Sequence, residues 1–115
     1  MKQEAIFQGV ATALITPLNE KGVDYEAFGR LIDWQISEGI NALVICGTTG
    51  ESSTLSDAEH RQVLKFALEV AKGRVPMIAG TGSNYTDHAV YRRLHLVNYV
   101  LKQSVCHVLP LVLLF

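Results

Sequence analysis

The sequence is short of cysteine and proline, has no excess of either charge, and contains no long hydrophobic run. Ten basic residues nearly balance eleven acidic ones, and without a basic stripe we expect no nucleic-acid partner. The longest apolar run, residues 105–115, is far shorter than the ~20 residues of a membrane-spanning helix. Residues 1–7 lack the apolar core of a signal peptide. These absences predict a cytoplasmic protein with no membrane partner.

Cysteine and histidine are too few and too scattered to indicate a metal site. The two cysteines, Cys46 and Cys106, both lie in apolar, strand-like runs, which favours buried free thiols over a disulfide. His88, His95 and His107 show no metal-ligand spacing. We therefore expect neither a metal nor a cofactor.

The residues that are abundant are hydrophobic, at 49% of the 115 residues, and they occur in an alternation of strand-like and helix-like segments. Residues 10–15 form a short apolar run that stops at Thr16 and Pro17, so we predict a first strand there. Residues 24–38 space their apolar side chains by three and four, which predicts an amphipathic helix capped by Asp24. The unbroken apolar run 42–46 predicts a strand buried on both faces, as in a parallel sheet covered by helices.

The second half of the chain continues the alternation. Ser56 and Glu59 have the S-x-x-E spacing of a capping box, which predicts a helix that ends near Lys72 and Gly73. A third strand is predicted at residues 76–79, and a further helix at residues 86–102.

The predicted strand ends recur at a regular interval, because Thr16, Gly47 and Gly80 are separated by 31 and 33 residues. Strand and helix units of this size build either an open doubly wound sheet or an eight-fold barrel of ~250 residues. The similar Gly and Thr loops after two successive strands favour the barrel. The predicted fold class is therefore α/β, the N-terminal part of a (β/α)8 TIM barrel with about three and a half βα units. A stand-alone flavodoxin-like domain is the alternative, although it needs two more strands within the last 30 residues.

The segment "GTTGES", residues 47–52, follows the second strand. Its glycines permit a tight turn with exposed amides, which could accept a carboxylate or a phosphate, and its threonines add two hydroxyls. No lysine follows the second glycine, so it is not a P-loop. Residue types alone leave a structural turn and a ligand-binding turn equally open.

Three segments, "GVATALITP", "GINALVICGTTGESSTLSDAEH" and "VPMIAGTGSN", resemble the dihydrodipicolinate synthase and N-acetylneuraminate lyase family of pyruvate-dependent class I aldolases. The resemblance covers residues 6 to about 91, and the double threonine favours the synthase branch over the sialic acid lyases. It implies a (β/α)8 barrel assembled as a homotetramer. It also implies a Schiff base between pyruvate and a lysine, whose enamine condenses with aspartate semialdehyde in lysine biosynthesis.

The resemblance also implies roles for individual residues. Thr48 corresponds to a threonine that links tyrosines in a proton relay, and Thr49 to one that binds the pyruvate carboxylate. Ser52, His60 and Asn84 correspond to a lysine effector site, while the simpler interpretation of His60 is an exposed histidine on a helix. Asp57 and His88 stand where some members of the family have other residues.

The resemblance ends near Tyr91, so we divide the chain into residues 1–91, the N-terminal portion of the synthase domain, and residues 92–115, a divergent tail. Our hypothesis for the tail is a shifted reading frame. The Schiff-base lysine of the family lies on the sixth strand and its relay tyrosine on the fifth, and we expect neither in this chain. The lysines present, at predicted terminal, turn or helical positions, are Lys2, Lys21, Lys65, Lys72 and Lys102. A non-catalytic fragment that binds a partner through its sheet edge, or another aldolase of the family, is the alternative function.

Overall fold

The structure, a computed structural model, describes the backbone of residues 7–83, 85–100 and 106–109 and the side chains of residues 7–83 and 85–95. Six strands and three α-helices lie in these residues. The strands are β1 (Ala11–Ala13), β2 (Leu18–Asn19), β3 (Gly22–Val23), β4 (Ala42–Ile45), β5 (Met77–Gly80) and β6 (Cys106–Leu109). The helices are α1 (Tyr25–Ser37), α2 (Asp57–Ala71) and α3 (Thr86–Val100), and a 3-10 turn covers Ser52–Thr54.

The main sheet has four parallel strands in the order β1-β4-β5-β6, which is also their order along the chain. A doubly wound sheet reverses its strand order at a switch point, whereas a barrel adds each new strand on the same side. The described strands contain no reversal. The predicted barrel portion is therefore confirmed, and the flavodoxin-like alternative is wrong.

Helices α1 and α2 begin where the sequence predicts. The Asp24 carboxylate accepts a hydrogen bond from the Ala27 N–H at 3.0 Å and so caps α1. At α2 the Ser56 Oγ accepts from the Glu59 N–H at 3.2 Å, and the Glu59 carboxylate accepts in return from the Ser56 N–H at 3.3 Å. This reciprocal pair is the predicted capping box.

The core lies between one face of the sheet and helices α1 and α2. Alternate residues of the central strands point toward the helices, so Leu43 and Ile45 of β4 are less than 2% exposed. Helix α1 contributes Phe28 and Ile32 to the same cluster. The other buried apolar side chains of this core include Val63, Leu64, Ala67, Leu68, Met77 and Ala79. Burying a valine, leucine, isoleucine, phenylalanine or methionine side chain contributes roughly 1.5 to 3 kcal/mol.

The opposite face of the sheet carries small apolar residues. The register pairs Ala13 with Val44, and Val44 with Ile78, so these three side chains point away from α1 and α2. Ala13 is exposed and Val44 is partly exposed. In a closed barrel this face would be the interior, which side chains fill in layers.

Several boundaries differ from the prediction. Strand β1 is only three residues long, because the chain leaves the sheet at Leu14 before a short antiparallel hairpin, β2 and β3, that the sequence analysis missed. Strand β5 begins at Met77 and includes Gly80. Cys46 lies outside β4, since its φ of 56° turns the backbone out of the strand. None of the helices in the described part of the chain combines the length and apolar character needed to cross a bilayer.

Candidate functional site

A cleft of about 600 Å³ opens where β4 and β5 end. The carboxyl ends of parallel strands meet at one edge of the sheet, which is where barrel enzymes place their ligands. The cleft combines small polar side chains with one histidine and one ion pair. Its lining residues are Cys46, Gly47, Thr48, Ser52, Ser53, Leu55, Ser56, Asp57, Gly80, Gly82, Ser83, His88 and Arg92.

The turn at residues 47–52 is fixed by hydrogen bonds to its backbone. The Glu51 N–H donates to the Thr48 carbonyl at 3.0 Å, and Glu51 adopts a left-handed φ of 55°. The buried Thr16 hydroxyl donates to the Gly50 carbonyl at 2.7 Å and so ties the turn to the segment that follows β1. A side chain at Gly50 would lie 3.2 Å from the Leu14 carbonyl. A side chain at this position would therefore force its neighbours to shift by a few tenths of an ångström.

Both threonines of this turn are exposed. Among the residues that the structure describes, neither hydroxyl has a hydrogen-bond partner. Thr48 lines the cleft, whereas Thr49 lies beside it and is not part of the lining. The turn thus combines a rigid backbone with two hydroxyls that are available to a ligand.

The ends of β4 and β5 approach each other unusually closely at Gly80. A Cβ placed on Gly80 would lie 2.0 Å from the Cys46 carbonyl oxygen, so no other residue fits without a backbone shift. The neighbouring Cys46 thiol is 2% exposed, and burial raises the pKa of this thiol to about 12. Cys46 is a free thiol, as predicted, and it stays protonated at neutral pH. The side chain of Cys106 lies outside the described residues.

His60 lies beneath the cleft rather than on the surface. It is 1% exposed, and its Nε2 is 2.8 Å from the Gly80 carbonyl oxygen. Since a carbonyl can only accept, Nε2 carries the proton. Burial lowers the pKa of His60, and the positive charge of Arg92 adds to this effect. The interpretation of His60 as an exposed helix histidine is therefore wrong, because α2 turns this side chain toward β5.

Arg92 and Asp57 form an ion pair at the side of the cleft, with the Arg92 Nε 2.9 Å from the Asp57 Oδ1. Arg92 is only 8% exposed, and its Nη1 also lies 3.4 Å from the Gly82 carbonyl oxygen. The hydrogen bond from Arg92 lowers the pKa of Asp57. The sequence analysis missed this pair, because its partners are 35 residues apart and Arg92 falls in the predicted divergent tail.

The structure brings together some of the predicted site residues and separates others. Thr48 and Ser52 line the same cleft, whereas His60 is buried below it. Asn84 lies outside the described residues. Across the described part of the chain there is no cluster of three or more side chains able to hold a metal ion.

The profile of the Dihydrodipicolinate synthetase family matches residues 6–105. The chain belongs to this family. Curated relatives found by sequence and solved structures found by fold are both named for this synthase.

The relatives are longer than this chain. A 4-hydroxy-tetrahydrodipicolinate synthase from a Thermoanaerobacter species is 54% identical over 85 residues, which are 74% of this chain and 29% of that protein. The crystal structure of dihydrodipicolinate synthase from Aquifex aeolicus matches with a TM-score of 0.77 and 46% identity, over 89% of this chain and 34% of that one. The synthase from Acinetobacter baumannii, solved in complex with pyruvate, matches with a TM-score of 0.76 and 43% identity, over 79% of this chain and 32% of that one. The chain thus spans about a third of the length of its relatives.

Proposed function

We propose that this chain contributes the carboxylate-binding part of a pyruvate site in a synthase that condenses pyruvate with aspartate semialdehyde in lysine biosynthesis. The observation that carries the proposal is the turn at residues 47–52, with two exposed hydroxyls at the end of β4 that have no partner among the described residues. In support, a structural relative was solved in complex with pyruvate, and the curated relatives are named 4-hydroxy-tetrahydrodipicolinate synthase.

The two threonines take different roles in this proposal. The amide and hydroxyl of Thr49 bind the pyruvate carboxylate, which orients the keto carbon toward an attacking amine. Thr48 passes protons between neighbouring hydroxyl groups without becoming charged itself. Both roles suit neutral side chains on a rigid turn, because the ligand then meets donors that need no rearrangement.

The amine that forms the Schiff base has no candidate among the described residues. Lys21 lies in the turn between β2 and β3, Lys65 lies on α2, and Lys72 caps the end of α2. None of these three lies at the end of a parallel strand, where a desolvated amine could be activated. The family resemblance implies a nucleophile on a sixth strand, so the proposal assigns this role to none of these three lysines and expects this chain to be inactive alone.

The binding role is tested by titrating the isotope-labelled chain with pyruvate and following the backbone amides of residues 47–51 by NMR. We expect these amides to shift with pyruvate and not with acetone, a ketone without a carboxylate. Thr49→Val should weaken the response about tenfold, since a hydrogen bond to a charged group contributes roughly 1.5 to 3 kcal/mol. Equal responses to pyruvate and acetone would refute carboxylate recognition.

The absence of the nucleophile is tested separately by treating the chain with pyruvate and borohydride. A Schiff base would be reduced to a stable adduct, and we expect none by mass spectrometry. An adduct on any lysine would refute the expected inactivity of this chain.

We propose a lysine effector site only for the portion of the cleft around Ser52. Ser52 lines the cleft, but His60 presents its ring to Gly80 instead of to a ligand. A thermal shift with lysine that is absent for Ser52→Ala would support the site. No shift with the unaltered chain would refute it.

A second candidate function, binding of a partner through the sheet edge, is favoured by one observation. Within the described residues β1 pairs only with β4, and β6 pairs only with β5, so both edges of the sheet are open.

A further inference from the structure

We propose that two copies of this 115-residue chain associate edge to edge, with β6 of each copy beside β1 of the other, and so close an eight-stranded parallel barrel. The proposal concerns the sheet edges and does not depend on the proposed function.

The strand arrangement permits this closure. Four parallel strands in chain order are half of the eight that a (β/α)8 barrel requires. A two-fold axis parallel to the barrel axis keeps every strand direction the same. It therefore brings β6 of each copy beside β1 of the other copy, and both new pairings are parallel, like those already present.

The edge strands β1 and β6 lack the features that commonly prevent exposed edge strands from pairing with another chain. Native edge strands are commonly protected by charged side chains, above all lysine, or by proline within the strand. The segment 9–16, which contains β1, has no charged residue and no proline. Its flanking side chains Val10 and Ile15 are 64% and 55% exposed. The strand β6, with the sequence CHVL, carries no acidic residue, lysine or arginine either.

The described β1, β4 and β5 side chains on the sheet face that such a barrel would enclose are apolar. Ala13, Val44 and Ile78 share this face, and closure would remove Ala13 and Val44 from water. The chain has a formal net charge of −1, so repulsion between two copies is small. A second copy therefore suits this surface in both polarity and charge.

Closure has a direct consequence for the cleft. Because all strands of the barrel would run in one direction, the turns at residues 47–52 of both copies would face the same mouth. Each half of the mouth would then present its own pair of threonines.

The test is the oligomeric state of the chain by sedimentation equilibrium and light scattering. We expect a dimer with twice the 12.7 kDa mass of the chain. Ala13→Lys places a charge on the face that closure buries, yet Ala13 is exposed in the single chain. This variant should keep its helical circular dichroism and become monomeric. Gln62→Lys, an equal charge change at an exposed position of α2, is the matched control and should stay dimeric.

A second measurement identifies the edges and does not depend on Ala13. In a sample that mixes labelled and unlabelled copies, we expect NMR contacts between β1 amides of one copy and β6 amides of the other. Val10→Lys, which adds a lysine beside the β1 edge, should weaken the dimer at least tenfold. A monomer throughout the micromolar range, an open-ended series of oligomers, or a dimer without contacts between β1 and β6 would each overturn the proposal.

Discussion

His60 is a buried titratable group whose protonation must affect stability. Its pKa is lowered in the folded chain, chiefly by burial, so folding favours the neutral form. A histidine with a lowered folded pKa destabilises the fold as the pH falls through the ordinary value of 6.5. The stability that the neutral form of His60 provides is therefore present above this pH and is progressively lost below it.

We expect the free energy of unfolding to fall between about pH 7.5 and about pH 5, measured as the urea midpoint. His60→Gln retains an N–H that can donate to the Gly80 carbonyl, but it does not titrate. Its midpoint should therefore depend less on pH in this range. His95→Gln changes an exposed histidine and is the control, which should behave like the unaltered chain. An unchanged pH dependence in His60→Gln would contradict the assignment.

Asp57 and Arg92 stabilise each other in a partly desolvated pair. Asp57→Asn leaves a nearly buried guanidinium without its carboxylate, and we expect a loss of about 1 to 2 kcal/mol. This is less than for a fully buried pair, because the Asp57 side chain is 31% exposed. Since the pKa of Asp57 is lowered, its contribution should persist above about pH 4 and vanish as the pH falls further.

The measurement is a double-mutant cycle of Asp57→Asn and Arg92→Leu in urea. The sum of the stability losses in the two single variants should exceed the loss in the double variant, because each single change leaves one charge unpaired. Strict additivity would show that the two side chains do not stabilise each other.

At the scale of elements, the contact between the ends of β4 and β5 leaves no space at Gly80. Gly80→Ala would place a methyl group 2.0 Å from the Cys46 carbonyl, so we expect a loss of several kcal/mol or failure to fold. Gly29→Ala on α1 is the control, because its methyl group would lie 3.4 Å from the Phe66 ring, an ordinary contact. There alanine should stabilise the helix by up to about 1 kcal/mol. Thermal unfolding distinguishes the two outcomes, and a tolerated Gly80→Ala would show that the strand ends can separate.

The elements also show what the sequence could predict. The capping box at Ser56 and the apolar run of β4 are local patterns, and both are correct in the structure. The burial of His60 depends on a carbonyl 20 residues away, which no local pattern encodes. The pairing of Arg92 with Asp57 is equally non-local, and an arginine in a polar helix normally indicates a solvated face. The turn of the site was therefore predictable from the sequence, whereas the contacts of His60 and Arg92 around it were not.

Stability should be highest at the centre of the sheet. Strands β4 and β5 each have two neighbours, and their residues Leu43 and Ala79 are fully buried. We expect their amides to exchange with solvent most slowly, and those of the β2 and β3 hairpin to exchange most rapidly.

Hydrogen exchange measured at several protein concentrations extends this prediction. If the two-copy barrel forms, the β1 amides should gain protection as the concentration rises, while β4 should change little. Protection of β1 that is already maximal in a dilute, monomeric sample would contradict an open edge.

The buried thiol of Cys46 can serve as a chemical probe of local opening of the fold. A thiol with a pKa of about 12 that is shielded from solvent does not react with alkylating reagents, whereas an exposed cysteine does. Modification of Cys46, located by peptide mass, would therefore report each opening of the contact between the end of β4 and β5. Brief pulses of reagent would therefore measure the rate at which the contact between the two strands opens.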